Sequence, residues 1–517
     1  MQTEFPVPTQ GEHNDLPDNE LPVTAMRVCQ NMVRNERGRL ALRPGYGRLG
    51  NVSPTDRIMG IGHFRTVGAT DKFVTGTFTK LWAYNESATN WEDKTGTALS
   101  GSASDHVSFV SMEVGGSFRT IAMNGINPTQ WWDGVVPTFT ALPGAPVSVA
   151  GAVCANRLLV LVKPNIVRIS DFNDPATWPA GGGFNIHLVD AGDLMIGMDQ
   201  LTRTSVAVVG EESQWVLRAQ TGSTPFRVER VSLFPGPLSV AALVRVGLKV
   251  YWLALDYNVY QFDGVQTTPV GDAMRSWVKA NISVGSRQMT HGVYMDDLWK
   301  IFWFFPVHGT DGPSYGIYLD VRTGEMGRLK FADIITASGR VRAATSVTWN
   351  DIDTPFTWDN IERSYPTWDS FGDPASDRKS AFGGKTGEVF ISGFGDGSDY
   401  GKSLEGVIEM PLKSYAGWPN NVVPQTFESF FRKTVVPTTV ETAVGFSDTL
   451  MDDPIYTNML PFDLIVDQRN DVDLTSVTQK RYVSLRHKIT APKGNVEWQG
   501  GIFVFEPEEI ERGPTGT

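Results

Sequence analysis

The feature that most constrains the fold is a short strand, ending in aromatic residues and a turn at Asn, Asp or Gly, that recurs along the chain. Its copies lie at residues 81–85, 130–134, 169–171, 260–264, 318–320 and 389–393, with a weaker copy at 214–217. Asn85 and Asp133 are 48 residues apart, and Asp133 and Asp171 are 38 apart. A period of about 40–50 residues is typical of β-propeller blades.

Radial stacking explains how such a repeat forms one domain. A four-stranded sheet cannot bury both faces alone, whereas blades arranged around an axis bury them against each other and leave only short edges. We therefore predict an all-β, irregular β-propeller of six or seven blades. The 52 glycines and 31 prolines favour short strands and turns over long helices. The alternative is that the turns mark hairpins of another β fold, because their spacing is irregular.

Two flanking regions differ from the repeat. Residues 1–50 hold an acidic, proline-bearing stretch without periodicity, which we expect to be an extended arm, and then a predicted β-hairpin. Residues 411–517 carry strand-like segments about 10–20 residues apart, which suits a β-sandwich-like domain. The predicted domains are thus the arm and hairpin at 1–50, the propeller at 51–410 and the sandwich at 411–517. We further predict that the arm lies across a neighbouring subunit and not on its own propeller.

Charge and cysteine content exclude several classes of protein. The formal net charge of −12 argues against nucleic-acid recognition, which needs Lys and Arg to neutralise phosphates, but is compatible with a passive channel for DNA. The two cysteines, Cys29 and Cys154, are too few for a disulfide framework and are expected to be buried thiols. The polar first 20 residues do not resemble a signal peptide. No apolar run reaches the roughly 18 residues that a membrane span needs.

Residues 312–316 match the Gly-x-Ser-x-Gly pattern of serine hydrolases, and His308 lies nearby. A nucleophile elbow needs a strand before the motif and a helix after it. Here a polar loop precedes Ser314, and a strand-like segment at 317–321 follows it. We interpret the motif as a hairpin turn and not as a hydrolase site.

The stretch 396–403 resembles two ligand-binding motifs. Gly401-Lys402-Ser403 ends like a phosphate-binding loop, but Asp396 stands where that motif requires glycine. The stretch also resembles the Asp-box turn of sialidase-like propellers. Asp396 and Asp399 supply two carboxylates, fewer than the 6–8 oxygen ligands that Ca²⁺ takes. We interpret the stretch as a structural turn.

Histidines and paired carboxylates give no clear site. The seven histidines lack metal-binding spacing. Asp296 and Asp297 are adjacent, so on a strand they would face opposite ways, and Asp351 and Asp353 stand in a turn-forming context. We therefore predict no catalytic, cofactor-binding or metal-binding residues, and no cofactor. The alternative is a carbohydrate-binding or carbohydrate-cleaving β-propeller, whose paired carboxylates would be set by the fold and lie in a central funnel.

Several phrases, taken in order, resemble the tail hub or nozzle proteins of short-tailed bacteriophages, also called tail tubular or DNA-stabilisation proteins. They are an Asn-containing strand at 29–33, a Gly turn at 38–40, an Arg-Pro-Gly motif at 42–46, an Asp-Pro-Ala-Thr-Trp phrase within 169–178, an Arg-rich strand at 481–486 and a Trp/Gly strand at 497–501. Each phrase is short, so the resemblance depends on their order along the whole chain.

The resemblance implies a structural, non-enzymatic subunit of the virion tail, made in the cytoplasm of a host bacterium. It implies a homo-oligomeric ring, a hexamer by analogy, that joins the head-to-tail adaptor or portal-side ring to tail fibre, spike or needle proteins. Genomic double-stranded DNA would pass through the ring during ejection without sequence recognition. We expect an acidic channel wall, because basic residues would hold phosphates and slow ejection. The expected interfaces are the arm at 1–50 and the sandwich at 411–517. Another reading is a host-receptor binder, marked by an exposed aromatic cluster.

Overall fold

The computed structural model describes residues 2–508 apart from 6, 19, 36–37, 52, 67–70, 180–183, 190–192, 223, 343–377, 394–396, 415–420, 433–437, 450–453, 459–460, 465–468, 478–479 and 493–495. Five short strands precede the repeat: β1 Gln2–Phe5, β2 Val28–Gln30, β3 Met32–Arg34, β4 Leu40–Leu42 and β5 Tyr46–Arg48. Strands β3 and β4 pair antiparallel, which confirms the predicted hairpin.

The repeat forms four-stranded antiparallel sheets, which we number as blades in chain order. Blade one consists of β6 Ile58–Arg65, β7 Asp71–Thr77, β8 Leu81–Asn85 and β9 Asn90–Asp93, and blade two of β10 Ser108–Val114, β11 Ser117–Met123, β12 Gln130–Trp132 and β13 Thr140–Ala141. Blade three consists of β14 Ala150–Cys154, β15 Arg157–Val162, β16 Ile166–Ile169 and β17 Asn185–His187. Blade four consists of β18 Met195–Thr202, β19 Ser205–Gly210, β20 Gln214–Ala219 and β21 Phe226–Ser232. Blade five consists of β22 Leu243–Val246, β23 Lys249–Leu253, β24 Val259–Phe262 and β25 Thr267–Pro269. Blade six consists of β26 His291–Met295, β27 Lys300–Pro306, β28 Pro313–Asp320 and β29 Met326–Lys330. Blade seven consists of β30 Ile335–Arg342, β31 Arg378–Gly384, β32 Val389–Ser392 and the N-terminal strand β5.

The first strands of successive blades pack against one another, and β30 of blade seven packs against β6 of blade one. The described residues therefore form a closed ring of seven blades, which confirms the predicted propeller. The fourth strand of blade seven is β5, which pairs antiparallel with β32 and comes from the N-terminal region. Residues 46–48, assigned to the arm by the sequence, thus belong to the propeller and close its ring.

The repeat seen in the sequence is the third strand of each blade together with the turn after it. In four blades the Asn or Asp at this turn accepts hydrogen bonds from backbone N–H groups two and three residues ahead. These acceptors are Asn85, Asp133, Asp263 and Asp320. A side chain that satisfies two backbone donors fixes the turn, which is the physical reason for the recurring residue type.

Apolar clusters lie between neighbouring blades. Trp132 is 4% exposed and lies in the cluster between blades one and two, and Phe262 is fully buried in the cluster between blades four and five. The neighbouring Trp131 is half-buried. Aromatic residues that precede the repeated turns therefore belong to the core between blades. The second strands β19 and β27 are buried along their whole length because a blade covers each face.

The α-helix α1 Arg275–Asn281 and the 3₁₀ segments Val240–Ala242, Asp272–Met274 and Val284–Met289 all lie in the connections that flank blade five. Within the part of the chain that the structure describes, no helix has the length and apolar character that crossing a membrane would require.

The remaining strands form the C-terminal sandwich: β33 Leu404–Glu409, β34 Asn421–Phe431, β35 Thr439–Ser447, β36 Ile455–Asn458, β37 Phe462–Asp463, β38 Arg469–Asp473, β39 Tyr482–Ala491 and β40 Glu497–Glu508. One sheet holds β3, β4, β40, β34 and β38 with β1 on β40, and the other runs from blade six through β2 to β33, β39, β35 and β36. The two sheets share one apolar core. Residues 404–409, placed in the propeller by the sequence, pair with β39 of the sandwich.

The N-terminal arm lies on its own chain, which corrects the expectation that it crosses to a neighbour. Strand β1 pairs with β40, and the backbone N–H of Glu12 donates to the carbonyl of Met326 in blade six. Further on, the N–H of Asn14 donates to the carbonyl of Ala273 beside α1. The sequence showed no apolar periodicity here because polar and backbone contacts hold the arm. Deletion of residues 1–20 is therefore expected to reduce stability as well as assembly.

Candidate functional site

The segment before the closing strand is buried where blade six, blade seven and the sandwich meet. At Gly45 a Cβ atom would come within 2.2 Å of the Ser398 carbonyl oxygen, so no larger residue fits. Tyr46 is 1% exposed, and its ring contacts those of Phe382 and Phe390 at centroid distances of 6.1 and 5.0 Å. The Arg-Pro-Gly motif thus positions the strand that closes the propeller.

Arg43 and Asp399 form a buried bidentate ion pair at this junction. Their side chains are 1% and 2% exposed, and the two N–H···O distances are 2.8 and 2.5 Å. Asn31 Oδ1 accepts from Arg43 Nε at 3.1 Å and from the Lys330 backbone N–H at 2.9 Å, while its amide donates to the Glu405 carbonyl at 2.8 Å. We call Asn31, Arg43 and Asp399 the clasp, because they join the hairpin, blade six, the loop after blade seven and the sandwich.

Glu12 anchors the arm on blade six. Its side chain is fully buried, one oxygen accepts from the Cys29 backbone N–H at 2.8 Å, and the other accepts from Arg328 Nε at 2.5 Å and Asn14 at 2.7 Å. Asp18 accepts from Arg27 at 2.9 Å and from the Leu412 N–H at 2.9 Å. A buried carboxylate needs such donors, so the arm is held by specific polar contacts.

Lys300 and Asp320 form a second buried ion pair, with Nζ 2.6 Å from Oδ2 and both side chains fully buried. Burial acts to raise the pKa of Asp320, but the hydrogen bond and charge of Lys300 outweigh it and hold that pKa below its ordinary value. Beside this pair Arg34 Nε donates to a Glu325 carboxylate oxygen at 2.9 Å. Burial raises the pKa of Glu325, and the hydrogen bond and charge of Arg34 oppose that shift. Arg34 belongs to β3, so this pair also ties the N-terminal hairpin to blade six.

Buried histidines pin strands together in both domains. His487 lies between the two sheets of the sandwich, where its ring nitrogens are 3.2 and 2.9 Å from the hydroxyls of Ser429 and Thr442. His291 joins the first strands of blades six and seven through the Ser338 hydroxyl at 2.8 Å and the Ile335 carbonyl at 2.9 Å. Burial lowers the pKa of each histidine to about 3, so both are neutral at physiological pH.

Charged side chains from blades four to seven meet at one end of the propeller axis. Arg340 binds Asp296 through two hydrogen bonds of 2.8 and 2.5 Å, and Arg245 donates to Gln200 at 3.1 Å. Burial raises the pKa of Asp199 to about 6, although the positive charges of Arg245 and Arg340 act against this shift. Asp199 on blade four is therefore influenced electrostatically by arginines of blades five and seven.

The described residues of the motifs that the sequence singled out lie in a strand, a buried ion pair and a turn. Ser314 lies in β28, which pairs with β27, so residues 313–316 of the motif form part of a strand and only Gly312 lies in the hairpin connection. The interpretation of the whole motif as a turn was therefore wrong. Asp399 is engaged by Arg43, whereas Asp396 lies outside the described residues. Asp296 and Asp297 stand in the turn after β26 and not on a strand. Asp351 and Asp353 also lie outside the described residues.

Metal-binding clusters and accessible thiols are both absent among the residues that the structure describes. Where the structure describes the chain, no group of three His, Cys, Asp or Glu side chains could hold a metal ion. Cys29 and Cys154 are buried free thiols, as expected. Burial raises the pKa of Cys154 to about 12, and raises that of Cys29 further still.

Sequence reasoning missed the residues that join the domains. The partners Arg43 and Asp399 are 356 residues apart, and Glu12 and Arg328 are 316 apart, so no local pattern connects them. One signal was present: charged residues inside apolar segments, such as Lys300 before the apolar run of β27, indicate a buried partner.

Comparisons with known proteins add a general likeness of fold. No family model and no curated protein matches the sequence. Among solved structures, the chain is similar to BamB from Moraxella catarrhalis, with 11% identity and a TM-score of 0.37, over 76% of this chain and 100% of that one. It is also similar to the computationally designed Ika8 protein, with 11% identity and a TM-score of 0.34, over 66% and 99%. PorZ of Porphyromonas gingivalis gives 10% identity and a TM-score of 0.38, over 83% and 46%.

Proposed function

We propose that the protein is a structural subunit of a bacteriophage tail, of the hub or nozzle type, which acts without catalysis. One observation carries the proposal: the first and third phrases of the resemblance meet in space. Arg43 of the Arg-Pro-Gly motif donates both to Asn31 of the strand phrase and to Asp399 in the buried clasp. Gly45 of that motif is fixed by close backbone approach. The resembling residues therefore build one unit that closes the propeller, which short chance matches would not be expected to do.

The packing of the propeller around its axis determines how such a subunit would form a DNA conduit. The first strands of successive blades surround the axis and pack directly against one another. A DNA duplex, whose major groove alone is about 12 Å wide, would not fit inside such a ring of strands. The conduit would then lie between copies, in a ring of subunits joined head to tail. By this proposal the ring, hexameric by analogy, would connect the adaptor or portal side to fibre, spike or needle proteins.

The distribution of charge supports an acidic conduit built from the folded domains. Residues 1–50 contain six acidic and six basic residues, whereas residues 51–410 carry 37 acidic and 29 basic residues. Residues 411–517 carry 14 acidic and ten basic residues. The acidic excess thus belongs to the propeller and sandwich. Repulsion from DNA acts only within about 8 Å at physiological salt, so the carboxylates that matter must lie close to the duplex.

Electron microscopy of the purified protein, and of the virion that contains it, tests the proposal. We expect a closed ring with the same head-to-tail interface between all copies, at the tail. A single copy per particle, or a channel lined mostly by Lys and Arg, would contradict it.

Substitution of Ser314 by Ala tests the rival reading as an enzyme. Because Ser314 lies within a paired strand, we expect particles that carry the variant to assemble and infect normally. Loss of infection by particles with intact tails would favour a hydrolase instead. The host-receptor reading has weaker support, since the exposed aromatic residues among those described come from different parts of the propeller and do not form one cluster by blade: Phe118, Phe172 and Trp299 belong to blades two, three and six, and Tyr400 to the loop after blade seven.

A further inference from the structure

A cavity of about 290 Å³ lies beside the clasp, between blade seven and the loop that follows it. The side chains that matter for its chemistry are Asp333, Lys385, Thr386, Glu388, Phe390 and Tyr400. Gly384 forms part of the wall, and a Cβ atom there would come within 2.8 Å of a Glu388 carboxylate oxygen. The cavity is at the lower end of the range for small-molecule sites, so it has room for about one ring.

Tyr400 occupies an unfavourable backbone conformation at the edge of this cavity. Asp399 and Lys402 pair with each other across a two-residue turn, and the central residues Tyr400 and Gly401 have φ values of 50° and 78°. Positive φ at both central positions is typical of a type I′ turn, which favours Asn-Gly. Tyrosine is poorly suited to this position, and strained residues of this kind concentrate at binding sites. The strain therefore indicates a role for the tyrosine ring itself.

The ring of Tyr400 is held in a fixed place and is still accessible. One side contacts Phe390 at a centroid distance of 5.4 Å, and the side chain is 44% exposed. The preceding residue, Asp399, is fixed by Arg43, and the Tyr400 backbone N–H donates to the Tyr46 carbonyl at 2.9 Å. The clasp thus holds the Tyr400 ring at the mouth of the cavity. Because the ring is already fixed, a ligand that stacks on it would cost little conformational entropy in the protein.

The polar groups around the cavity select against anions. Lys385 is paired with Asp311 at 2.5 Å, and Lys402 is paired with Asp333 at 2.6 Å. Among the described residues Glu388 accepts hydrogen bonds from the Thr386 hydroxyl, at 2.8 and 2.6 Å, and has no cationic partner. The cavity therefore carries one uncompensated carboxylate. This charge would repel phosphates and carboxylates, whereas it can accept hydrogen bonds from hydroxyl groups.

From these observations we infer that the cavity binds a single neutral pyranose unit of a polysaccharide. The apolar face of the sugar ring stacks on Tyr400, and its hydroxyls donate to Glu388 and Asp333. This inference rests on the cavity and the turn, and it does not depend on the proposed tail function. No bond is made or broken, so the site is a binding site and not a catalytic one.

Saturation-transfer NMR with the methyl glycosides of glucose, galactose, mannose and N-acetylglucosamine tests the inference on the full chain. We expect at least one glycoside to receive saturation, most strongly at the ring protons of one face. Tyr400→Phe keeps the ring and should preserve binding, whereas Tyr400→Ala and Glu388→Gln should each weaken it by about tenfold or more. Phe172→Ala removes an exposed aromatic residue on blade three and should leave binding unchanged.

Tyr400→Asn separates a binding role from a structural one. Asn suits the first central position of a type I′ turn, so this variant should keep or raise the melting temperature while it abolishes glycoside binding. The inference is overturned if no glycoside receives saturation, or if Tyr400→Ala binds as well as the parent protein. It is also overturned if tetramethylammonium, a cation without hydroxyls, competes with the glycoside for the site, because the cavity would then be a cation site.

Discussion

The blades of the propeller and its junction with the arm and the sandwich are held together by different physical means. Neighbouring blades meet through apolar clusters, and each blade repeats the same strand and turn. At the junction an apolar cluster also joins blades six and seven to the hairpin and the sandwich, but single buried polar contacts such as Arg43–Asp399 and Glu12–Arg328 are added to it and connect residues more than 300 positions apart. The ring is thus specified many times over by a local pattern, whereas its closure also depends on a few contacts that occur only once.

This difference predicts different responses to substitution. An apolar cluster loses burial in proportion to the atoms that are removed, and its neighbours relax in part. A buried ion pair that loses one partner leaves an uncompensated charge, which costs about 3–5 kcal/mol. Junction substitutions that remove one charge should therefore be at least as damaging as large core truncations within the ring.

Arg43→Leu is expected to have the largest effect. It leaves the Asp399 carboxylate buried without its partner and removes a donor to Asn31, so the free energy of unfolding should fall by about 3–5 kcal/mol. Equilibrium denaturation followed by tryptophan fluorescence measures this loss.

The double variant Arg43→Leu, Asp399→Leu is the matched control for that measurement. Removal of both charges should recover part of the lost stability, because no buried charge is then left alone. A double variant as unstable as the sum of the two single variants would show that the two charges do not interact.

Phe262→Ala tests the ring side of the comparison. Phe262 is fully buried between blades four and five, and its truncation should cost about 3 kcal/mol and lower the melting temperature. Trp131→Ala, at a half-buried position in blade two, should cost clearly less. Equal melting temperatures for the parent protein and Phe262→Ala would contradict the packing described for these blades.

The same contrast explains what the sequence could predict. Asn85, Asp133 and Asp263 revealed the blades because the turn chemistry is local and repeats. The sequence also predicted strands in residues 411–517, since strand-like segments recur there, although it placed residues 404–409 in the propeller and not in the sandwich. It could not pair β5 with β32, because about 340 residues separate the two strands. Nor could it identify the cavity beside Tyr400, because the residues around it come from segments brought together by closure of the ring.

The buried histidines predict a loss of stability in acid. His291 and His487 have pKa values of about 3 in the folded protein, against an ordinary value of 6.5. Below pH 6.5 the unfolded chain binds protons at these positions and the folded protein does not, so stability falls as pH decreases from about 6.5 toward 3. Between pH 7 and 5.5 each histidine should reduce the free energy of unfolding by about 1.4 kcal/mol.

His487→Gln tests the contribution of the sandwich histidine by itself, because His291, the other buried histidine, belongs to the propeller and is unchanged in this variant. Glutamine can bind the hydroxyls of Ser429 and Thr442 without titrating. Denaturation curves at pH 7 and 5.5 should show a smaller pH dependence for this variant than for the parent protein. An unchanged dependence would mean that His487 titrates normally and is not desolvated between the sheets.

The smallest effect is expected at a single repeated turn, Asp263 in blade five. Its carboxylate accepts from the N–H groups of Val265 and Gln266 at 2.8 and 2.9 Å. Burial acts to raise the pKa of Asp263, but these donors outweigh it and hold that pKa below 3.8. Asp263→Ala should therefore cost about 1 kcal/mol, the usual value for a lost side-chain cap, whereas Asp263→Asn keeps an acceptor and should cost less. Urea denaturation at pH 7 distinguishes the two variants. If Asp263→Ala destabilises the protein as much as Arg43→Leu does, the ring depends on single contacts as strongly as the junction, and the distinction between the two regions fails.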